Sequence, residues 1–295
     1  MFKIISIIFI LLSLSSAQAS LPKFNASKTK NGVNPKFDIP ITYNKPVKYW
    51  LKHFRTKGKP WVSTWLKRSN KYLPLMKSKL ANHGLPQDLA YIAMIESGFS
   101  ATAVSSASAV GYWQFIKPTA TSYGLKINWW IDERRDFVKS TDAAANYLSD
   151  LYKLYGDWYL TAAAYNMGET RLNKLIKRHK TKNFWALSKK RDFPTETKHY
   201  IPKLLASVLI SKAPGFYGFG NIVRDRPYRY EYYFVPGGTD LHNLAYSLNV
   251  ERGFFTKLNP ELKRGFVPKK VALHKIRIPK GYGVKVRSYF KSRTL

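Results

Sequence analysis

The stretch Ala90-Tyr-Ile-Ala-Met-Ile-Glu96-Ser-Gly98-Phe99, followed by Gly111-Tyr-Trp-Gln-Phe-Ile116, decides how the rest of the chain is read. Pro86 stands where the first turn of a helix tolerates proline. From there Leu89, Ile92, Ala93 and Ile95 recur at helical spacing, and Ser97-Gly98 ends the run. Glu96 is the last charged position of an otherwise apolar helix, and no Asp, Glu or His follows from Ser97 to Ile131. Apolar neighbours and the negative end of the helix dipole both disfavour an ionised carboxylate there. The position therefore suits a carboxylic acid that donates a proton near neutral pH. The plain alternative is a helix-terminal Glu turned outward to solvent.

Outward from this helix the pattern stays helical. Tyr49, Trp50 and Phe54, then Trp61, Trp65, Leu66, Tyr72, Leu73 and Leu80, fall at helical intervals broken by Gly58-Lys-Pro60, which predicts two helices. After Glu96 comes a loop rich in Ala and Ser, Ser100 to Val110, of the kind that lets backbone approach a ligand. Gly111, Trp113, Gln114 and Phe115 then make a turn with two large aromatics and one amide. Pro118–Ser122 reads as a short helix closed at Gly124. Ser140 is expected to cap a helix over Thr141–Tyr155. Trp158 to Asn166 is an almost wholly apolar helix ending in Ala-Tyr165-Asn166, with Gly168 as terminator. Tyr165 is either a core tyrosine with a satisfied hydroxyl or a phenol offered to a cleft. Glu169–Lys180 forms a basic helix. Pro194-Thr-Glu196-Thr197 opens another, with Tyr200, Ile201, Leu204 and Leu205 inward, where Glu196 is by default a dipole or capping partner. No strand pattern precedes Ala213.

The texture changes at Pro227. Tyr228–Val235 and His274–Ile278 alternate as strands, with short helical patterns at Leu241–Leu248 and Glu251–Leu258 between them. The expected class is thus mainly α: a helical domain over 46–215, a small β-α-α-β module over 228–280, and a basic tail over 281–295.

At the other end, Lys3, the apolar run Ile4–Leu14 and Ala17-Gln-Ala19 read as a signal peptide over 1–19, too short to span a bilayer. An extended arm follows over 20–45, rich in Asn, Lys, Pro and Ser. Export to the periplasm or cell envelope is expected, with no transmembrane helix in the mature chain. There is no cysteine, hence neither a disulfide nor the lipid-bearing residue of a lipoprotein. The formal charge of +33 falls to +32 once Lys3 leaves. The basic residues are spread along the chain, apart from small clusters at Lys189-Lys190-Arg191 and Lys269-Lys270. That argues against nucleic acid as a partner and for an anionic envelope surface, or else a merely solvated basic exterior.

Gly84-Leu-Pro86, Ile95-Glu96-Ser97-Gly98-Phe99, Gly111-x-Trp-Gln-Phe115, Ala164-Tyr-Asn166 and Glu196-Thr197 together resemble the bacterial lytic transglycosylases. The resemblance runs from about Pro46 to Ala213 and is nearest to the membrane-bound lytic murein transglycosylase D group. It implies a lysozyme-like fold with Glu96 as the sole catalytic acid and base. It also places Ser105, Gln114, Tyr165, Asn166 and Glu196 along the glycan. Ser100-Ala101 stands where relatives commonly carry Asp/Asn-Pro, and Ser106 where many carry Gly; neither departure removes a catalytic group. Tyr233 to Pro279 resembles a divergent LysM module, a peptidoglycan-binding unit, with Gly238-Thr-Asp-Leu241 in place of the usual Gly-Asp-Thr-Leu.

The resemblance implies cleavage of the MurNAc–GlcNAc β-1,4 bond with a 1,6-anhydroMurNAc end as product, on peptidoglycan glycan strands and without metal or cofactor. It fits the single carboxylate read around Glu96, since ordinary glycosidases need two. A goose-type lysozyme hydrolysing the same bond, and an inactive peptidoglycan-binding scaffold, are the competing readings.

Overall fold

The computed structural model describes residues 36–251 and 253–292. The signal peptide reading and the arm up to residue 35 lie outside the described residues. The two helices upstream of the Glu96 stretch form at α1, Lys45–Arg55, and α2, Lys59–Asn82. Asn44 Oδ1 caps α1 by accepting from Val47 N at 3.2 Å, and Pro46 and Pro60 sit in first turns, where no backbone donor is lost. A 3-10 turn over Gln87–Ala90 leads into α3, Tyr91–Ser97, which carries Glu96. Then follow α4, Lys117–Ser122; α5, Lys139–Tyr155; α6, Trp158–Met167; α7, Glu169–His179; α8, Phe184–Leu187; and α9, Thr195–Lys212.

The apolar α6 lies at the centre, packed against α5, α7, α8 and α9, and Leu160 with Ala162 to Ala164 is wholly buried. Its small side chains let α5 and α9 approach on either side. The short α3 packs on α9, which holds Glu96 against the middle of the domain. The chain before α1, described from residue 36, is pinned to the core. Ile39 is buried, Tyr159 donates to Pro40 O at 2.7 Å, and the backbone of Asp38 donates to buried Asp88 at 2.8 Å.

One cap expected from sequence is wrong. α5 begins at Lys139, and Ser140 is buried inside its first turn. Asp136 caps instead, its Oδ1 accepting from Val138 N at 2.8 Å and from Lys139 N at 3.0 Å. An ionised carboxylate is the stronger acceptor and also suits the positive end of the dipole.

Strands β1, Tyr230–Pro236, and β2, Leu273–Pro279, pair antiparallel with Tyr233 opposite Ile276. Between them lie α10, Leu241–Ser247, and α11, Phe254–Leu258. The segment 281–295, read as a featureless basic tail, contains α12, Gly283–Lys291, which puts Val286 into the second core beside Val235, Leu244, Phe255, Ile276 and Ile278. This core also takes in Ile131 from the helical domain. The junction carries buried charge: Arg277 Nη1 lies 2.9 Å from Asp136, the α5 cap, and Nη2 lies 2.6 Å from Glu261. Asp132 N donates to Glu261 O, and Lys263 N to Trp130 O, so backbone crosses the junction as well. No helix among the described residues is long and apolar enough to cross a membrane.

Candidate active site

Glu96 ends α3, and Gly98 closes that helix in the left-handed conformation at φ +57°. A β-carbon at Gly98 would lie 2.3 Å from the Trp65 indole, so glycine is required both by conformation and by the close approach of α2. Ser97 ties the same helix end to the next loop, donating to Tyr112 O at 2.8 Å and accepting from Ser100 N at 3.2 Å. Gly111 sits just as tightly. At φ +83°, its added β-carbon would fall 2.0 Å from Arg134 O. The loop is thus folded onto the helix that presents the acid.

A cavity of about 490 Å³ opens at Glu96, and all six residues singled out from sequence line it: Glu96, Ser105, Gln114, Tyr165, Asn166 and Glu196. Each is held. Gln114, itself in the left-handed region at φ +50°, donates its amide to Gly111 O at 2.9 Å and to Ala103 O at 3.2 Å, so its carbonyl oxygen is the end left for a ligand. Ser105 braces its own loop, with Oγ accepting from Ala109 N at 3.1 Å. Tyr165 donates to Trp113 O at 2.7 Å, so its hydroxyl is committed to structure, while its ring packs on Phe115 and Tyr147 in the cavity wall. Asn166 bridges α6 to α9, donating to Glu196 Oε1 at 2.9 Å and accepting from Thr197 Oγ1 at 2.6 Å. Glu196 is therefore a side-chain partner at the cavity edge as well as a first-turn acid.

Burial lifts the Glu96 carboxyl from an ordinary 4.5 to about 7. The nearby charge of Glu196 adds to the rise, while a hydrogen bond from Tyr200 and the charge of Lys203 oppose it. Tyr200 OH donates to Glu96 Oε1 at 2.6 Å. Sequence reasoning placed Tyr200 on the inward stripe of α9 and gave it no role. Its position four residues after Glu196, on the same helix face, was the available signal. Glu169 is a further carboxylate that the sequence reading did not single out. Glu169 and Glu196 line the same cavity as Glu96, brought there by the N-termini of α7 and α9. A carboxyl that has its pKa raised to about 7, faces a cavity, and is oriented by a phenol is equipped to give and retake a proton. A second cavity, about 500 Å³ at the junction with the β-α-α-β unit, is lined by Arg135, Lys257, Lys263 and Arg264 and by no carboxylate. Among the described residues no cluster of His, Cys, Asp and Glu could hold a metal ion.

Residues 74–188 match the family model described as the Transglycosylase SLT domain. This chain is similar to a protein named membrane-bound lytic murein transglycosylase D. It is 42% identical to the protein of that name from Escherichia coli (strain K12) over 156 residues, which make up 51% of this chain and 34% of that protein. The match therefore spans about a third of that relative's length. A protein of Alteromonas sp. (strain M-1) named for tributyltin chloride resistance is 38% identical over 122 residues, 40% of this chain and 59% of its own. Among solved structures, the 70 kDa soluble lytic transglycosylase of Escherichia coli is similar at 23% identity and a TM-score of 0.43, over 53% of this chain and 27% of that one.

Proposed function

We propose that the chain is a peptidoglycan lytic transglycosylase that cleaves the MurNAc–GlcNAc β-1,4 bond and closes a 1,6-anhydroMurNAc end. The observation that carries this reading is Glu96: a carboxyl raised to about 7, opening into a cavity and held by Tyr200. In the protonated form it gives its proton to the glycosidic oxygen as the bond to C1 breaks, freeing the GlcNAc 4-hydroxyl. The substrate's N-acetyl oxygen, or the cavity wall, stabilises the cationic sugar. Glu96, now ionised, takes the proton of the C6 hydroxyl as O6 bonds to C1. The acid ends as it began, and no water is consumed. Intramolecular attack outpaces water because the C6 hydroxyl is already held close. Gln114, Ser105 and Asn166 fix the strand through its amides and hydroxyls, and Tyr165 and Tyr147 offer ring surface.

Hydrolysis in the manner of a goose-type lysozyme has one observation in its favour, the extra carboxylates Glu169 and Glu196 at the cavity. The product separates the two. Mass spectrometry of fragments released from purified sacculi should find MurNAc ends lighter by one water than those of a hydrolase; reducing MurNAc ends as the main product would make the enzyme a hydrolase.

The unit from β1 to β2 is assigned as a LysM-like module that holds the enzyme on the sacculus, and the basic exterior as the part attracted to an anionic cell envelope. The mature chain then acts in the envelope after export.

A further inference from the structure

Aromatic surface continues past the cavity along one face of α9. Positions 196, 199, 200 and 203 share that face. Glu196 lines the cavity, Tyr200 holds Glu96, and Lys203 lies close enough to act on the Glu96 carboxyl. His199 turns instead to α1, where its Nδ1 accepts from Trp50 Nε1 at 3.2 Å, and Lys203 Nζ stands 4.6 Å from the Trp50 ring centre. The rings then step outward. Trp50 meets His53 at 5.1 Å, and His53 meets Trp61 at 6.0 Å and lies parallel to Tyr49 at 6.2 Å. Trp65, pressed on Gly98, ties this group to the end of the helix that bears the acid.

Core packing explains Trp50 and Trp65, which are partly buried against the main core. It does not explain Tyr49 and Trp61, each 56% exposed. Two large rings left half in water beside an imidazole bury too little surface to stabilise the fold by much. They do form an apolar shelf with polar tips, the Trp61 ring inclined 47° to His53. His199 also fits an uncharged ligand: burial, then Lys203 and Lys198, hold its pKa below the usual histidine range, and a nitrogen that accepts from an indole must be unprotonated.

We infer that Tyr49, His53 and Trp61 form a second glycan contact outside the cavity, stacking on the C–H face of an N-acetylhexosamine further along the same strand. The inference rests on the peptidoglycan-cleaving reading and extends it to a longer binding track. The shelf favours uncharged pyranose faces, so its contribution differs in kind from attraction between a basic surface and an anionic wall.

The test uses the full chain carrying Glu96→Gln, with N-acetylchitohexaose as probe and calorimetry as readout. Adding Tyr49→Ala and Trp61→Ala should weaken binding about tenfold, the scale of losing two ring contacts. Both side chains are exposed, so thermal unfolding should not move. In chains that keep Glu96, the same pair should raise KM for solubilised glycan strands by a similar factor with the product ends unchanged. The Trp61 indole N–H signal in the NMR spectrum, identified by its loss in Trp61→Phe, should shift as the hexaose is added. Unchanged affinity together with an unshifted Trp61 signal overturns the shelf while leaving the cavity assignment intact. A parent chain that neither binds nor cleaves glycan overturns both.

Discussion

Two buried glutamates invite comparison, Glu96 at the cleft and Glu261 at the junction with the β-α-α-β unit. Burial is the largest influence on both and pushes both carboxyls up. At Glu261 the charge of Asp136 pushes the same way, and Arg277, 2.6 Å away, pulls back. One guanidinium facing two carboxylates does not balance both, so the charge of Asp136 adds to the rise that burial causes at Glu261. Among the described residues no cation is in contact with Glu96. It has a phenol on one oxygen and an open cavity. A raised carboxyl pKa is therefore no mark of catalysis by itself. What marks Glu96 is the same elevation with access to substrate and no ion pair to neutralise it.

The strongest way to break the comparison is to remove each charge in turn. Glu96→Gln keeps size and hydrogen bonding but cannot transfer a proton. Turnover on soluble glycan should fall by roughly a hundred- to ten-thousand-fold or more, with sacculus pelleting retained. Undiminished cleavage would remove Glu96 from the mechanism. Arg277→Ala should do the reverse. It strands Asp136 and Glu261 as buried carboxylates, at a cost of ~3–5 kcal/mol read from the urea midpoint, while the released ends stay the same. An unchanged midpoint would mean that the junction is open to water.

The junction also bears on how the β-α-α-β unit is tested. A chain ending near Ala213 loses Arg277 and uncovers Ile131, so weaker sacculus binding by such a fragment would mix lost binding with lost stability.

The cleft was largely legible in the sequence because its signals are local. A glycine after an apolar run stops a helix, and Ala-Tyr-Asn before Gly168 stops another, so Glu96, Tyr165 and Asn166 stand at helix ends by rules that reach only a few residues. The junction was not legible. Asp136, Glu261 and Arg277 lie far apart in the chain, and each has a local reading that hides it. Arg277 sits in an alternating strand where its neighbours Ile276 and Ile278 are the ones expected inside, yet all three are buried because the second face of that strand meets the helical domain. Asp136 lost its capping role to Ser140 in the sequence reading for the same reason: a serine just before the helix expected from Thr141 matches the local rule, and nothing nearby announces an ion pair 141 residues away. Tyr200 was legible as buried and illegible as a partner, since only the packing of α3 on α9 brings it to Glu96.

A finer test tunes Glu96 without removing it. Tyr200 donates to the ionised form, so Tyr200→Phe should move the alkaline limb of the kcat/KM profile upward, because the acid then holds its proton to higher pH. Glu196→Gln removes a like charge and should move that limb downward, with a smaller loss of rate than Glu96→Gln. Shifts of the same sign in both variants would show that the limb belongs to another group.

The smallest effect comes from the stability of the Glu96→Gln variant. The native carboxyl titrates near 7 and the unfolded one near 4.5, so between those values the native state holds a proton that the unfolded chain has released. Stability from this residue is complete below about pH 4.5 and is lost as pH rises through about 7. Glutamine does not titrate and loses nothing over that range. The variant should therefore match the parent near pH 4 and exceed it at pH 8 by on the order of 2 kcal/mol; this is less than the full shift implies, because the cavity lets water reach the charge. Denaturation midpoints at the two pH values measure it. A constant difference across the range would mean that Glu96 titrates at its ordinary value, and the acid assigned to the mechanism would then be ionised before substrate arrives.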